Sequence, residues 1–439
     1  MNEFPGKMYE LLKRHLDVSG SKAVLNVAVW ISAGVIGLMA VLYARLVSAL
    51  QEVFFHYFHI SPVLTACAGP FLFVLATWLV KCFAPDAKGS GIPQVLTAIE
   101  QSSSHRGDDS FAWGSDLVSL KTAGIKILSS CVGILGGASI GREGPTVQVA
   151  AAGFSWIGNK IRRFAPHVDF QTFLVAGSAA GVAAAFNTPI AGIAFAVEEL
   201  GGGALGAVRQ VVMLTIIVSG VIAQGLGGNY LYFGHPAALS ENVGLLMMEA
   251  LLIGIIGGLL GGLFAKILAE PKITKLPTRW MARAFVAGLI CALIGYFTNG
   301  DTAGSGYEVT RGILNGGNLE DVSIFFPIYK LITTILSYLS GMAGGIFSPS
   351  LSIGAGIGLS VAKILGLANF KACALLGMVA FFSGAVRAPL TAVIIVTEMT
   401  DEHLLVLPFM IAAYLAYSAG KRVMSESLYH YLARKHLEG

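Results

Sequence analysis

Three observations predict an all-α, polytopic membrane protein assembled from two related halves: an apolar composition, runs long enough to cross a bilayer, and an internal repeat. Hydrophobic residues make up 55% of the 439 and charged residues only 12%, with a mean hydropathy of +0.73. A soluble domain carries roughly twice that charged fraction. The 54 glycines suit helices whose backbones approach one another or a ligand closely. Residues 24–50, 62–82, 245–268 and 403–419 are each long enough, as helices, to cross about 30 Å of hydrocarbon.

The ends of the chain predict its orientation. Lys7, Lys13, Arg14 and Lys22 flank the first span, and Lys421, Arg422, Arg434 and Lys435 follow the last. Basic residues beside spans are retained in the cytoplasm, so both termini are expected there, with an even number of crossings between them. Residues 1–22 contain no apolar core of a signal peptide and read as an amphipathic helix on the inner surface of the lipid bilayer. The formal charge of +4 lies mostly in these flanks and speaks of topology, not of nucleic acid. The expected organisation is a cytoplasmic helix at 1–22, a first membrane repeat at 23–235, a second at 236–420 and a cytoplasmic C-terminal helix at 421–439. The five cysteines lie scattered in apolar sequence, and the nine histidines show no ligand spacing. No disulfide framework, metal or cofactor is expected.

The repeat emerges when the chain is compared with itself. Gly177 to Glu198, containing Asn187-Thr188-Pro189, matches Gly377 to Glu398, containing Arg387-Ala388-Pro389, at an offset of 200. Upstream, Gly141-Arg142-Glu143-Gly144-Pro145 matches Gly345-Ile346-Phe347-Ser348-Pro349 at an offset of 204. Two matches in the same order indicate duplication, with copies at about 24–230 and 245–420. Many transporters set such copies in opposite orientations and place the substrate where they meet.

Five apolar segments open with the same punctuation: Gly89-Ser90-Gly91-Ile92-Pro93, the Glu143 and Phe347 runs, and the Pro189 and Pro389 runs. Proline in the first turn of a helix forfeits no hydrogen bond, so each run marks a helix N-terminus inside hydrophobic sequence. Irregular backbone at membrane depth is tolerated only within protein or around a wet cavity. A helix N-terminus offers unpaired N–H groups and about half a positive charge. Several directed at one spot form an anion site with no lysine or arginine, which holds an ion without trapping it. Glu143 is an ionisable residue in such a position and is therefore expected to be functional. Deprotonated, it occupies the place an anion wants; protonated, it releases it. Of Glu198 and Glu199, one is expected to mark the water interface and the other to face inward for proton entry. Lys126, Arg387 and Glu398 read as buried structural partners.

These runs resemble the CLC family of chloride channels and proton-coupled chloride transporters over about residues 20–437. The resemblance is carried by Gly-Ser-Gly-Ile-Pro at 89–93, Gly-Arg-Glu-Gly-Pro-Thr-Val-Gln at 141–148 and Gly-Gly-Ile-Phe-Ser-Pro at 344–349, together with Arg-Ala-Pro-Leu-Thr at 387–391 and Glu-Met-Thr-Asp at 398–401. It implies an inverted repeat of about eighteen tilted and broken helices, a homodimer with one pathway per subunit, and a prokaryotic inner-membrane transporter. By the same resemblance the Ser90 hydroxyl, the Tyr429 hydroxyl and the amides of Ile346 and Phe347 bind chloride. Glu143 is then the external gate and proton acceptor, and Glu199 the internal proton-transfer group. Two departures stand out: Gln94 replaces an acidic residue frequent in prokaryotic members, and Gly201-Gly202-Gly203 follows Glu199 in place of a more polar stretch. The expected function is exchange of chloride for protons, the alternative a passive chloride channel of the same fold. A sodium-coupled organic-anion carrier lacks an evident substrate clamp here, and a membrane enzyme lacks a nucleophile–base pair.

Overall fold

A computed structural model describes residues 4–104, 115–161, 170–200, 205–228, 231–236, 243–270, 276–317, 319 and 322–438. Among these residues the chain forms seventeen helices and no strand. The first half contains α1 (Phe4–Ile60), α2 (Pro62–Phe83), α3 (Ile92–Ser104), α4 (Leu120–Leu135), α5 (Glu143–Ile161), α6 (Phe170–Phe186), α7 (Pro189–Phe195) and α8 (Leu205–Gly227). The second contains α9 (Val243–Ala269), α10 (Trp280–Phe297), α11 (Tyr307–Asn315), α12 (Phe326–Ser340), α13 (Phe347–Leu365), α14 (Phe370–Val386), α15 (Pro389–Thr400), α16 (Val406–Val423) and α17 (Leu428–Glu438). The backbone of α1 runs unbroken through residue 22, because no proline occurs between Pro5 and Pro62 to end it.

Local chemistry sets the boundaries. Pro62, Pro93, Pro189, Pro327 and Pro389 each stand at the first or second position of a helix. Helices α11, α12 and α13 stop where Gly316, Gly341 and Gly366 turn left-handed, at φ of 76°, 97° and 66°. Asn187 and Arg387 occupy the same region at φ of 59° and 69°, immediately before the Pro189 and Pro389 turns. A side chain there costs on the order of 1 kcal/mol, and Arg387 is anchored by its guanidinium donating to the Met424 carbonyl. The repeat is thus written in backbone angles as well as in sequence.

The two copies are inverted. Glu198, in the π-helical turn Ala196–Leu200 that ends α7, accepts hydrogen bonds at the start of α15. Its donors are the amides of Leu390 (3.1 Å) and Thr391 (2.7 Å) and the Thr391 hydroxyl (2.8 Å). Glu398, near the end of α15, accepts from the amides of Ile190 (3.0 Å) and Ala191 (2.8 Å) at the start of α7. Each helix end caps the other's beginning, which requires α7 and α15 to run antiparallel. Glu398 is thereby the structural partner its sequence suggested, and Glu198 fills the matching role.

Among the described residues, six helices are long and apolar enough to cross a membrane. Lipid removes the hydrophobic drive between helices, so their association depends on close packing. Along α9, Gly254, Gly258 and Gly262 meet Ala412, Ala416 and Gly420 of α16. A Cβ on Gly258 would lie 2.4 Å from the Ala416 Cα, so no larger residue fits. Helices α6, α13 and α14 form the enclosed centre. The perimeter carries exposed apolar side chains such as Phe71, Leu75, Ile217 and Met410, as hydrocarbon demands.

Candidate anion site

Three glycine-rich turns, one from each predicted run, are stitched together in the interior. The Gly89 amide donates to Met342 O (2.9 Å), and Gly89 O accepts from the Gly344 amide (3.0 Å). Gly141 and Gly345 exchange a reciprocal pair of bonds, each 2.8 Å. Gly89 and Gly91 make the first turn possible by adopting φ of 65° and 99°, closed to most side chains.

Helices α3, α5 and α13 begin at these turns. Their first ladder bonds run from Val95 to Gly91, from Thr146 to Arg142 and from Ser350 to Ile346. The amides of Glu143, Gly144, Ile346 and Phe347 lie ahead of those ladders and have no carbonyl within their own helix. The starts are in contact: a Cβ on Gly144 would stand 2.3 Å from Ser90 Oγ, and one on Gly345 3.0 Å from the Gly144 nitrogen.

Ser90, Glu143, Ile346, Phe347 and Tyr429 all meet around this junction and are essentially inaccessible, none more than 1% exposed. Ser90 Oγ, Ser348 Oγ, the Tyr429 hydroxyl and both Glu143 carboxylate oxygens have no hydrogen-bond partner. A buried polar group left unsatisfied costs about 1–3 kcal/mol, so a cluster of hydroxyl donors beside free amides describes a cradle for an acceptor. Tyr429 faces the Ser90 hydroxyl and interacts electrostatically with Glu199, Tyr338 and Glu143. The Phe347 ring is held between Phe186 (4.8 Å between centroids) and Phe382 (4.2 Å), fixing the start of α13.

Glu143 is the first residue of α5, and its carboxylate folds back over Gly141. Arg142 turns elsewhere, donating to Ala44 O (2.9 Å) and standing 6.0 Å from the Tyr232 ring. Glu143 borders a cavity of about 200 Å³ lined also by Gln51, Arg142, Tyr232, Ser305 and Tyr307. A second cavity of about 230 Å³, lined by Lys88, Gln94, Arg283, Tyr338, Lys435 and His436, approaches the Ser90 turn through Tyr338, whose ring packs on Gly89. Gln94 braces that turn by donating to Lys88 O at 2.7 Å. Glu199 is buried, its Oε1 unpartnered and 3.8 Å from His430 Nε2. Gly201-Gly202-Gly203 lie outside the described residues.

Sequence reading missed a second layer of the repeat. Lys126, buried in α4, donates to Gly89 O (3.1 Å). Lys330, buried in α12 at the offset of 204 already seen for Glu143 and Phe347, donates to Thr302 O (2.9 Å) and Gly304 O (2.8 Å). The turn it supports, Gly304-Ser305-Gly306, repeats the triplet at 89–91 with φ of 62° and 79° at its glycines. One triplet presents Ser90 to the buried junction; the other presents Ser305 to the Glu143 cavity. A lysine inside an apolar run of each half was the available signal.

The family model described as voltage gated chloride channel matches residues 71–421. Among solved structures the chain is similar to a slow cyanobacterial Cl−/H+ antiporter, with a TM-score of 0.80 and 23% identity over 94% of this chain and 97% of that one. It is similar to a CLC-type fluoride/proton antiporter, with a TM-score of 0.76 and 23% identity over 93% and 97%. It is also similar to a eukaryotic CLC transporter, with a TM-score of 0.74 and 22% identity over 93% and 74%. The apolar spans and this fold make it an integral membrane protein. Matched over most of its length, the chain belongs to the voltage gated chloride channel family.

Proposed function

We propose that this chain exchanges chloride for protons, with Glu143 as external gate and proton acceptor and Glu199 as internal proton-transfer group. One observation carries the reading: unpartnered buried donors converge on one place, and an unpartnered carboxylate stands beside them. A chloride there accepts from the Ser90 and Tyr429 hydroxyls and the Ile346 and Phe347 amides. Lys126, the buried lysine beside the Ser90 turn, is turned to the Gly89 carbonyl, so the ion meets partial charges and can leave. The Glu143 carboxylate competes for the same helix starts. Protonation removes that competition, and the proton then moves past Tyr429 to Glu199.

Glu199 favours exchange over a passive channel of the same fold, since a channel needs no second buried carboxylate. A homodimer with one pathway in each subunit is the assembly that the family resemblance implies for this chain. We place the protein in a prokaryotic inner membrane with both termini cytoplasmic, following the basic flanks.

The test is flux through liposomes holding the purified protein. An imposed chloride gradient drives protons uphill, and Glu143→Gln abolishes proton movement while chloride still flows. Chloride flux without proton pumping by the wild type would replace the exchanger with the channel. A preference for fluoride over chloride would overturn the anion assigned to Ser90 and Tyr429.

A further inference from the structure

We infer that His430 is the proton-exchange group at the cytoplasmic end of the pathway, passing protons between bulk water and Glu199. The inference rests on the proposed chloride/proton exchange and assigns a residue to its inner end.

The geometry begins with Glu199, which is 3% exposed and cannot itself meet bulk water. Its Oε1 has no hydrogen-bond partner and faces His430 Nε2 at 3.8 Å. The His430 side chain is 49% exposed, so one imidazole touches both the buried carboxylate and solvent. Glu198, the adjacent carboxylate, is unsuited to the task because three donors of α15 hold it. The start of α17 aims His430: its amide donates to Ser427 Oγ (3.3 Å). Successive residues on a helix diverge by about 100°, so the same turn directs Tyr429 to Ser90 and His430 to Glu199.

Imidazole is the side chain whose charge changes near neutral pH. The charged groups acting on it besides Glu199 are Glu426 in the preceding turn and Glu100 on α3; Arg434, one turn along α17, is paired with Glu426 at 2.7 Å. Burial lowers the imidazole below the ordinary histidine value more than Glu426 and Glu100 raise it, so the resting ring is neutral and free to accept. A proton from water binds the ring. The Nε2–H bond then breaks as Oε1 of Glu199 takes the proton, leaving neutral imidazole and a neutral carboxylic acid. The reverse transfer runs when protons exit. A rotamer change or one bridging water closes the 3.8 Å gap.

The experiment measures chloride and proton flux together in liposomes for the wild type, His430→Ala and His430→Gln. Both variants slow coupled transport on the order of tenfold or more, with an unchanged ratio of protons to chloride. Wild-type turnover rises as cytoplasmic-side pH falls below the ordinary histidine value, and both variants lose that rise. Free imidazole on that side restores the rate. In a Glu143→Ala background, where chloride needs no proton, His430→Ala does not slow chloride, showing the Tyr429 turn intact. Wild-type rates and pH profiles in both variants overturn the inference, as does equal slowing in the Glu143→Ala background. A wild type that pumps protons while ignoring His430 substitutions overturns this inference alone; a wild type that pumps none overturns the exchanger with it.

Discussion

Replacing Gly144 with alanine tests whether contact between the Ser90 turn and the start of α5 sets anion affinity. The new Cβ would stand 2.3 Å from Ser90 Oγ, 2.9 Å from the Ser90 carbonyl oxygen and 3.3 Å from the Ser90 Cβ. An ordinary contact is about 3.5–4 Å, so Ser90 Oγ must rotate away and the turn or the helix must retreat from the carbonyl by roughly 0.6–1.1 Å. The carbonyl is backbone within a stitched junction and has no rotamer to yield. Overpacking of this kind costs about 1–3 kcal/mol. If the cost falls on the anion-bound geometry, chloride binds between about 5-fold and 150-fold more weakly. Isothermal titration of chloride into the purified variant reads the affinity, and liposome flux reads the turnover. Gly124→Ala on α4 is the control: nothing lies within 4 Å of its Cβ, so it leaves binding unchanged and stabilises by about 0.5–1 kcal/mol. Chloride affinity equal to wild type in a folded Gly144→Ala protein would refute the idea that this contact shapes the cradle.

Three further outcomes are expected. Lys126→Met removes a buried lysine and one of two donors to Gly89 O, the other being the Gly344 amide; thermal unfolding in detergent shifts little, because lost hydrogen bonding and relieved desolvation oppose each other, while titration shows weaker chloride binding. Glu398→Ala strips two bonds from the start of α7 and lowers stability by about 0.5–2 kcal/mol; Glu398→Gln, which keeps an acceptor, recovers part of the loss, and equal losses would contradict the capping role. Gly358→Ala places a Cβ 1.9 Å from the Cys373 carbonyl oxygen and yields no monodisperse protein on size exclusion, whereas Gly312→Ala, with open space at its Cβ, elutes normally.

Features that the backbone imposes on residue choice were visible in the sequence. The turns at 89–91, 141–145 and 345–349 announce themselves because only glycine reaches the angles at 89 and 91, only glycine fits the close contacts at 141, 144 and 345, and proline tolerates only the first helical turn. Tyr429 was placed by resemblance, and the fold brings it to Ser90. Lys330 escaped notice, although it stands at the same offset from Lys126 as Phe347 from Glu143. The Gly304-Ser305-Gly306 turn was hidden because its offset from the first triplet is 215 and not 204, so a single sliding register passes over it. The division of labour between Glu198 and Glu199 could not be assigned from adjacent letters. A π-helical turn and an antiparallel neighbour decide that one carboxylate meets α15 while the other is buried beside His430. Such choices depend on contacts about 200 residues apart, which no local pattern records.

The exchanged caps between α7 and α15 bear on how such a chain arose. Glu198 and Glu398 are the same residue in two copies of one unit, each completing the other copy's helix. That is the contact an isologous dimer makes. Two half-length copies set in opposite orientations would need only this one glutamate each to make the pairing, with no new acceptor required on joining them into one chain. The same reciprocity leaves a trace in biogenesis. The amides of Ile190 and Ala191 are met by a carboxylate 208 and 207 residues downstream, so these helix starts are completed only once both halves are in place.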